Sequence, residues 1–168
     1  PLPVPYGAHV VKNGVQFTLF ARHATPVWLM LFEHPDDDAP YEEFELTPER
    51  NRIGDVWHIH VRRARAWQFY LYRMEGRTPP GMRNFYDPDQ WLLDPYALAV
   101  SGRPHWGDPA GLAAGHALRS GPLFPKGVIV QDDFDWSDDH TLNIPLSETV
   151  IYETHLRGFT IHPSSGVS

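Results

Sequence analysis

Five short apolar runs, each bounded by turn residues, fill the first 76 residues and constrain the fold more than any other feature. In Val15-Gln16-Phe17-Thr18-Leu19-Phe20-Ala21, side chains alternate across a strand, so Val15, Phe17 and Leu19 share one face. Asn13-Gly14 just before it is a turn signal. Val27-Trp28-Leu29-Met30-Leu31-Phe32 is apolar throughout, with Pro26 at its start and Pro35 beyond its end. Residues 41–46 form a weaker run. Asp55-Val56-Trp57-His58-Ile59-His60-Val61 alternates cleanly, with Trp57, Ile59 and Val61 inward. The fifth run, residues 67–74, is closed by Gly76. Proline flanks these runs, as its missing backbone donor requires. The pattern predicts a mainly β chain: an antiparallel β-sandwich over residues 5–100, about the size of one immunoglobulin domain.

After Gly81 the character changes. Residues 91–100 are apolar but interrupted by Pro95, which fits a short helix start and then a last strand. Residues 101–127 are rich in Gly, Pro, Ala and Ser; residues 101–148 read as an extended linker or wrap. Within it only residues 111–119 have modest helical propensity, weakened by Gly115. Val128-Ile129-Val130 is a short strand or extended piece, and Thr149-Val150-Ile151-Tyr152-Glu153 is strand-like. Residues 149–168 look like the start of a second element. The chain begins at Pro1 without Met and stops abruptly at Ser168, so a fragment is expected.

Composition removes several classes of function. The chain has no cysteine, so disulfides, a thiolate nucleophile and cysteine-ligated zinc are excluded. A net charge of −7 argues against nucleic acid or an anionic membrane as partner, since phosphate binding rests on clustered Lys and Arg. No apolar run approaches the roughly 18 residues of a membrane helix, and a cytoplasmic location is expected.

Asp132-Asp133-Phe134-Asp135-Trp136-Ser137-Asp138-Asp139 invites calcium, but a loop starting at Asp133 has Asp138 where glycine is needed and Ile144 where glutamate is needed. A solvated acidic turn is expected instead. His58 and His60 share a strand face, yet no further ligand has suitable local spacing, so they read as surface histidines. No Gly-x-Ser-x-Gly elbow or glycine-rich phosphate loop is present. No metal and no cofactor is expected. The aromatic content is more informative, because flat rings cover the apolar C–H faces of sugars. Of Trp28, Trp57, Trp67, Trp91, Trp106 and Trp136, Trp57 belongs to the core. Trp28, in a run apolar on both faces, is either part of a second buried layer or an exposed platform. Trp67, at a strand start, is the second candidate for carbohydrate contact.

Ordered motifs then resemble one family. Gly14-Val15-Gln16-Phe17-Thr18-Leu19-Phe20-Ala21, Gly54-Asp55-Val56-Trp57-His58 and Tyr70-Leu71-Tyr72-Arg73-Met74-Glu75-Gly76 resemble successive landmarks of the N-terminal module of glycogen-debranching and isoamylase-type enzymes. Phe85-Tyr86-Asp87-Pro88 through Trp91-Leu92-Leu93-Asp94-Pro95-Tyr96-Ala97 resembles that family's Asn-Pro…Leu-Asp-Pro-Tyr-Ala signature. Phe134-Asp135-Trp136 and Val150-Ile151-Tyr152-Glu153-Thr154-His155-Leu156-Arg157-Gly158-Phe159-Thr160 complete the series; the last resembles the first strand of the α-amylase-superfamily barrel.

The resemblance implies that residues 5–100 are a family-48 carbohydrate-binding-type, immunoglobulin-like (E-set) sandwich, residues 101–148 a run to the barrel, and residues 149–168 its severed first strand. It implies a parent of glycoside hydrolase family 13 that cleaves α-1,6 branch linkages of glycogen or a related α-glucan with retention. That chemistry needs two carboxylates about 5–5.5 Å apart. In the family both come from later barrel strands, so an inactive piece is expected here, with the missing barrel as its partner. An autonomous α-glucan-binding module and an unrelated immunoglobulin-like interaction domain are the alternatives. An unpaired apolar strand is a template for pairing, so Val150-Ile151-Tyr152 is expected to be disordered or to self-associate. Departures from the family pattern are Asp87 for Asn, Gln90 for Lys, and Arg65-Ala66-Trp67 where Pro-Gly is usual. Leu71 takes roughly the place of a sugar-contacting Lys in glycogen-binding relatives.

Overall fold

The computed structural model describes residues 5–76, 86–101 and 125–167. The chain divides into two compact units, Pro1–Asp133 and Phe134–Ser168. Trp106, the 111–119 stretch and Phe85 of the signature lie outside the described residues.

The first unit is a sandwich of two antiparallel sheets. One has the order β1-β2-β6-β5, from β1 (Gly7–Val11), β2 (Gly14–Phe20), β5 (Arg52–Ile53) and β6 (Val56–Val61). The other has the order β4-β3-β7-β9-β8, from β3 (Ala24–Phe32), β4 (Glu42–Leu46), β7 (Phe69–Gly76), β8 (Ala99–Ser101) and β9 (Lys126–Val128). Helix α1 (Pro48–Asn51), one turn long with Pro at its start, links β4 to β5. The mainly β expectation therefore holds, and the four longest strands lie on the expected runs.

Alternation decides the core. Phe17, Leu19 and Trp57 of one sheet meet Val27, Leu29, Leu31, Tyr70 and Tyr72 of the other, all with 4% exposure or less. Trp57 is fully buried, and its indole N–H donates to the Ala21 carbonyl at 2.9 Å. A second cluster lies on the opposite face of the second sheet: Met30, Phe32, Leu71 and Trp91, with Phe69 and Leu93 against it. The Trp91 and Leu93 side chains reach that face from the edge of the sheet. Leu92 exchanges backbone hydrogen bonds with Tyr72 (2.9 and 2.7 Å) and turns inward, while its two neighbours turn outward. This is why β3 reads as apolar on both faces.

The stretch read as a wrap supplies a strand of the sheet. Gly127 of β9 pairs with Tyr70, and Val128 with Phe69. Ile129 just beyond is fully buried in the core. The Lys126 side chain is also fully buried, with Nζ 2.7 Å from the Pro35 carbonyl and over the Phe32 ring.

In the second unit all described residues but Thr160 are exposed. The acidic run up to Asp139 makes a solvated turn, with the Asp139 N–H donating to the Trp136 carbonyl. The strand-like 149–153 stretch is not a strand here: it is followed by helix α2 (Leu156–Thr160), and Val150, Ile151 and Tyr152 are 93%, 79% and 79% exposed. Strand propensity needs a partner edge to become a ladder, and within this unit none is supplied. Among the described residues no helix is long and apolar enough to cross a membrane.

Candidate functional site

The two tryptophans singled out from the sequence sit in different surroundings. Trp28 projects from the outer face of β3, opposite Arg73 of β7 and Glu45 of β4. It lies past the end of the covered cluster and is half-buried. The Arg73 guanidinium sits 4.5 Å from its ring centroid, and Arg73 Nη2 is 2.6 Å from Glu43 Oε1. One face of the Trp28 indole is thus taken by a cation that a carboxylate holds in place.

Trp67 is 66% exposed in the loop between β6 and β7, with φ of 69°. Its N–H donates to the Ile129 carbonyl at 2.8 Å, and the Ile129 N–H donates to the Gln68 carbonyl at 2.9 Å. Gln68, nearly fully buried, ties the loop together. Its Oε1 accepts from the Arg65 N–H, and its Nε2 donates to Glu33 Oε1 and to the Tyr41 hydroxyl. Arg65 forks onto both Glu33 oxygens at 3.2 and 2.9 Å. Its hydrogen bonds hold the Glu33 carboxyl below the usual range. Trp67 and Trp28 do not form one platform: Trp67 precedes β7, and Phe69 at the start of that strand is already four positions from Arg73, roughly 13 Å at about 3.3 Å per residue.

A buried polar group lies under the Leu-Asp-Pro-Tyr-Ala segment. Asp94, 2% exposed, accepts from the Tyr70 hydroxyl at 2.9 Å and from the Tyr96 N–H at 2.8 Å. Burial pushes the Asp94 carboxyl above its ordinary range, against the lowering effect of those two bonds. A carboxyl raised in the folded state contributes stability that is complete below its unfolded value and is lost as pH rises through the folded value. Asp94→Asn cannot ionise, so its melting temperature should gain on the wild type as pH rises above the ordinary aspartate value of about 4. Thermal melts across that rise check this; a constant gap would show that Asp94 does not titrate from a raised value.

His58 is half-buried and His60 exposed, and among the described residues no group of three His, Asp or Glu is placed to hold a metal ion. At the end of the sandwich a cleft of about 410 Å³ is lined by Phe20, Arg22, Tyr72, Tyr86 and Pro95, among others.

Residues 5–97 match carbohydrate-binding module 48, the isoamylase N-terminal domain. The chain belongs to this family. Among similar curated proteins, the glycogen debranching enzyme of Erwinia tasmaniensis is 39% identical over 165 residues, covering 96% of this chain and 24% of that protein. Isoamylase 1, chloroplastic, of Arabidopsis thaliana is 35% identical over 169 residues, covering 99% of this chain and 21% of that protein. The chain therefore spans about a quarter or less of the length of these relatives. Pullulanase from Paenibacillus barengoltzii, solved with maltohexaose and alpha-cyclodextrin, superposes with a TM-score of 0.63 at 22% identity, over 97% of this chain and 21% of its own. Pullulanase from Bacillus acidopullulyticus gives 0.64 at 25%, over 98% and 17%. The module 48 sandwich is thus the fold of the first unit.

Within the module, the Leu93-to-Ala97 signature works as a staple. Asp94 ties β7 to the following segment, and the Ala97 N–H closes the turn on the Asp94 carbonyl at 3.1 Å. Sequence reasoning marked the segment as a landmark but missed Asp94 as its anchor. It also missed Arg73 on Trp28; the only signal was that the two residues lie in adjacent strands on matching faces.

Proposed function

We propose that this chain is the noncatalytic N-terminal module of a glycogen-debranching hydrolase that cleaves α-1,6 branch linkages in glycogen or a related α-glucan. The module packs on the parent's catalytic barrel and shapes substrate access. The observation that carries this reading is the extent of the match: debranching enzyme and isoamylase relatives align over 96% and 99% of the chain, past the sandwich and into the second unit. The exposure of Val150, Ile151 and Tyr152 supports residues 149–168 as the barrel's first strand, an apolar segment that its neighbours in the parent would cover. Residues 101–148 connect the two, with Lys126–Val128 returning to the sheet on the way. Retaining hydrolysis needs a pair of carboxylates set on several barrel loops. The reading places that pair in the parent's later strands.

Titration of the 168-residue chain with maltoheptaose, followed by incubation with a branched α-glucan, tests this. Affinity no tighter than about millimolar, near −4 kcal/mol of binding free energy, and no release of branches are expected. Micromolar affinity would favour an autonomous binding module instead. Branch cleavage by the chain alone would overturn the noncatalytic role.

A further inference from the structure

We infer that Trp67, rather than Trp28, is the stacking platform of this module for a glucosyl unit of an α-glucan, with Arg65 beside it as donor to the sugar hydroxyls. The inference rests on the glucan-module reading above. Trp67 has φ of 69°, the left-handed region that bulky L-residues occupy only at a cost. Burial does not offset that cost, because the side chain is 66% exposed. Residues held in such conformations persist where the surroundings fix them. Here two backbone hydrogen bonds with Ile129 and the Gln68 network fix the loop. The ring is therefore presented to solvent from a rigid base, which lowers the ordering cost of binding.

The surroundings select the ligand. A protein-binding centre is depleted of charge, but this loop carries the partly exposed Arg65–Glu33 pair, and Tyr41 is 45% exposed beyond Gln68. Two of Arg65's five N–H donors reach Glu33, which leaves three for a ligand. A flat aromatic face with forked donors on the same loop suits a pyranose, which offers C–H groups on one side and hydroxyls at its rim. Trp28 is less suited, because Arg73 already stacks on it.

Affinity electrophoresis of the 168-residue chain in native gels, with glycogen, with a soluble β-1,4-glucan or with neither, tests the assignment. Glycogen should retard the wild type and the β-glucan should not. Trp67→Gly should lower the apparent glycogen affinity at least about fivefold, Trp67→Tyr should restore part of it, and Trp28→Ala should stay within about twofold of wild type. Glycine is at ease at this φ, so Trp67→Gly should melt no lower than the wild type, which separates lost binding from lost fold. Wild-type-like retardation of Trp67→Gly, an equal loss in Trp28→Ala, or a lower melting temperature of Trp67→Gly would each overturn the inference while leaving the noncatalytic-module reading intact. No retardation of the wild type would overturn it too, and would remove glucan contact from that reading; the barrel-packing role would then stand alone.

Discussion

Trp57→Ala should destabilise the sandwich by about 3–5 kcal/mol, the range for deleting a large buried aromatic side chain. For a unit of this size that is a fall of roughly 10–20 °C in melting temperature. Trp57 is the second residue of β6, paired with Leu19 on one side and Arg52 on the other. It is fully buried in the core between the two sheets. Its loss also orphans the Ala21 carbonyl, which the indole N–H satisfies at 2.9 Å, and removes the ring beneath the Arg52 guanidinium, 5.3 Å from its centroid. Trp57→Phe keeps the aromatic body and loses the hydrogen bond, so it should fall between the two. Urea unfolding of the three proteins measures the order. A Trp57→Ala variant within about 1 kcal/mol of wild type would show that the core is not centred there.

Gly14→Ala should cost nearly as much, roughly 2–5 kcal/mol, when backbone strain and overpacking are taken together. Gly14 has φ of 141° at the turn between β1 and β2. A Cβ there would run into the Val61 carbonyl oxygen and lie 2.7 Å from Arg62 Cα, both backbone atoms that cannot swing aside. Gly54 is the control. Its φ is 62°, but a Cβ would meet nothing within 4 Å. Gly54→Ala should therefore cost only the strain, about 1 kcal/mol. Equal losses in the two variants would show that φ alone matters and that the approach of β6 to the turn does not.

The strands legible in the sequence were those with a clear period or a long apolar run. Trp57, Ile59 and Val61 alternate with two histidines, and Val15, Phe17 and Leu19 with Gln16 and Thr18, so the inward faces of β6 and β2 could be assigned, although Thr18 on the other face is also buried. β3 was harder. Its outer residues divide by what lies above them: Trp91 meets Phe32 at 5.2 Å, whereas Trp28 has the Arg73 guanidinium over it. That division depends on where the 91–93 segment crosses, which no local pattern encodes. β1 went unread because its residues are small or mixed, and α1 because four residues carry no helical period. β9 was read only in part: the short strand expected at Val128-Ile129-Val130 lies two residues earlier, at Lys126–Val128. It is three residues long with glycine at its centre, and its Lys reads as exposed until the Pro35 carbonyl and the Phe32 ring are brought to it. Gly127 is there because the Tyr70 ring lies over it, with Cε1 2.8 Å from where a Cβ would stand. At the candidate site, Trp67 was legible as an aromatic at a strand start, but its left-handed backbone and its tie to Ile129 were not, since Ile129 is 62 residues away along the chain.

β9 also bears on where a gene encoding this module should be cut. The family match stops at residue 97, which invites an expression boundary there. A chain ended at that point would lose the strand that covers Tyr70 and the Ile129 backbone that fixes Trp67, and would leave the start of the β7 edge bare at Phe69 and Tyr70. The recombinant unit that preserves both core and loop runs on through Val130, some thirty residues past the recognised motif.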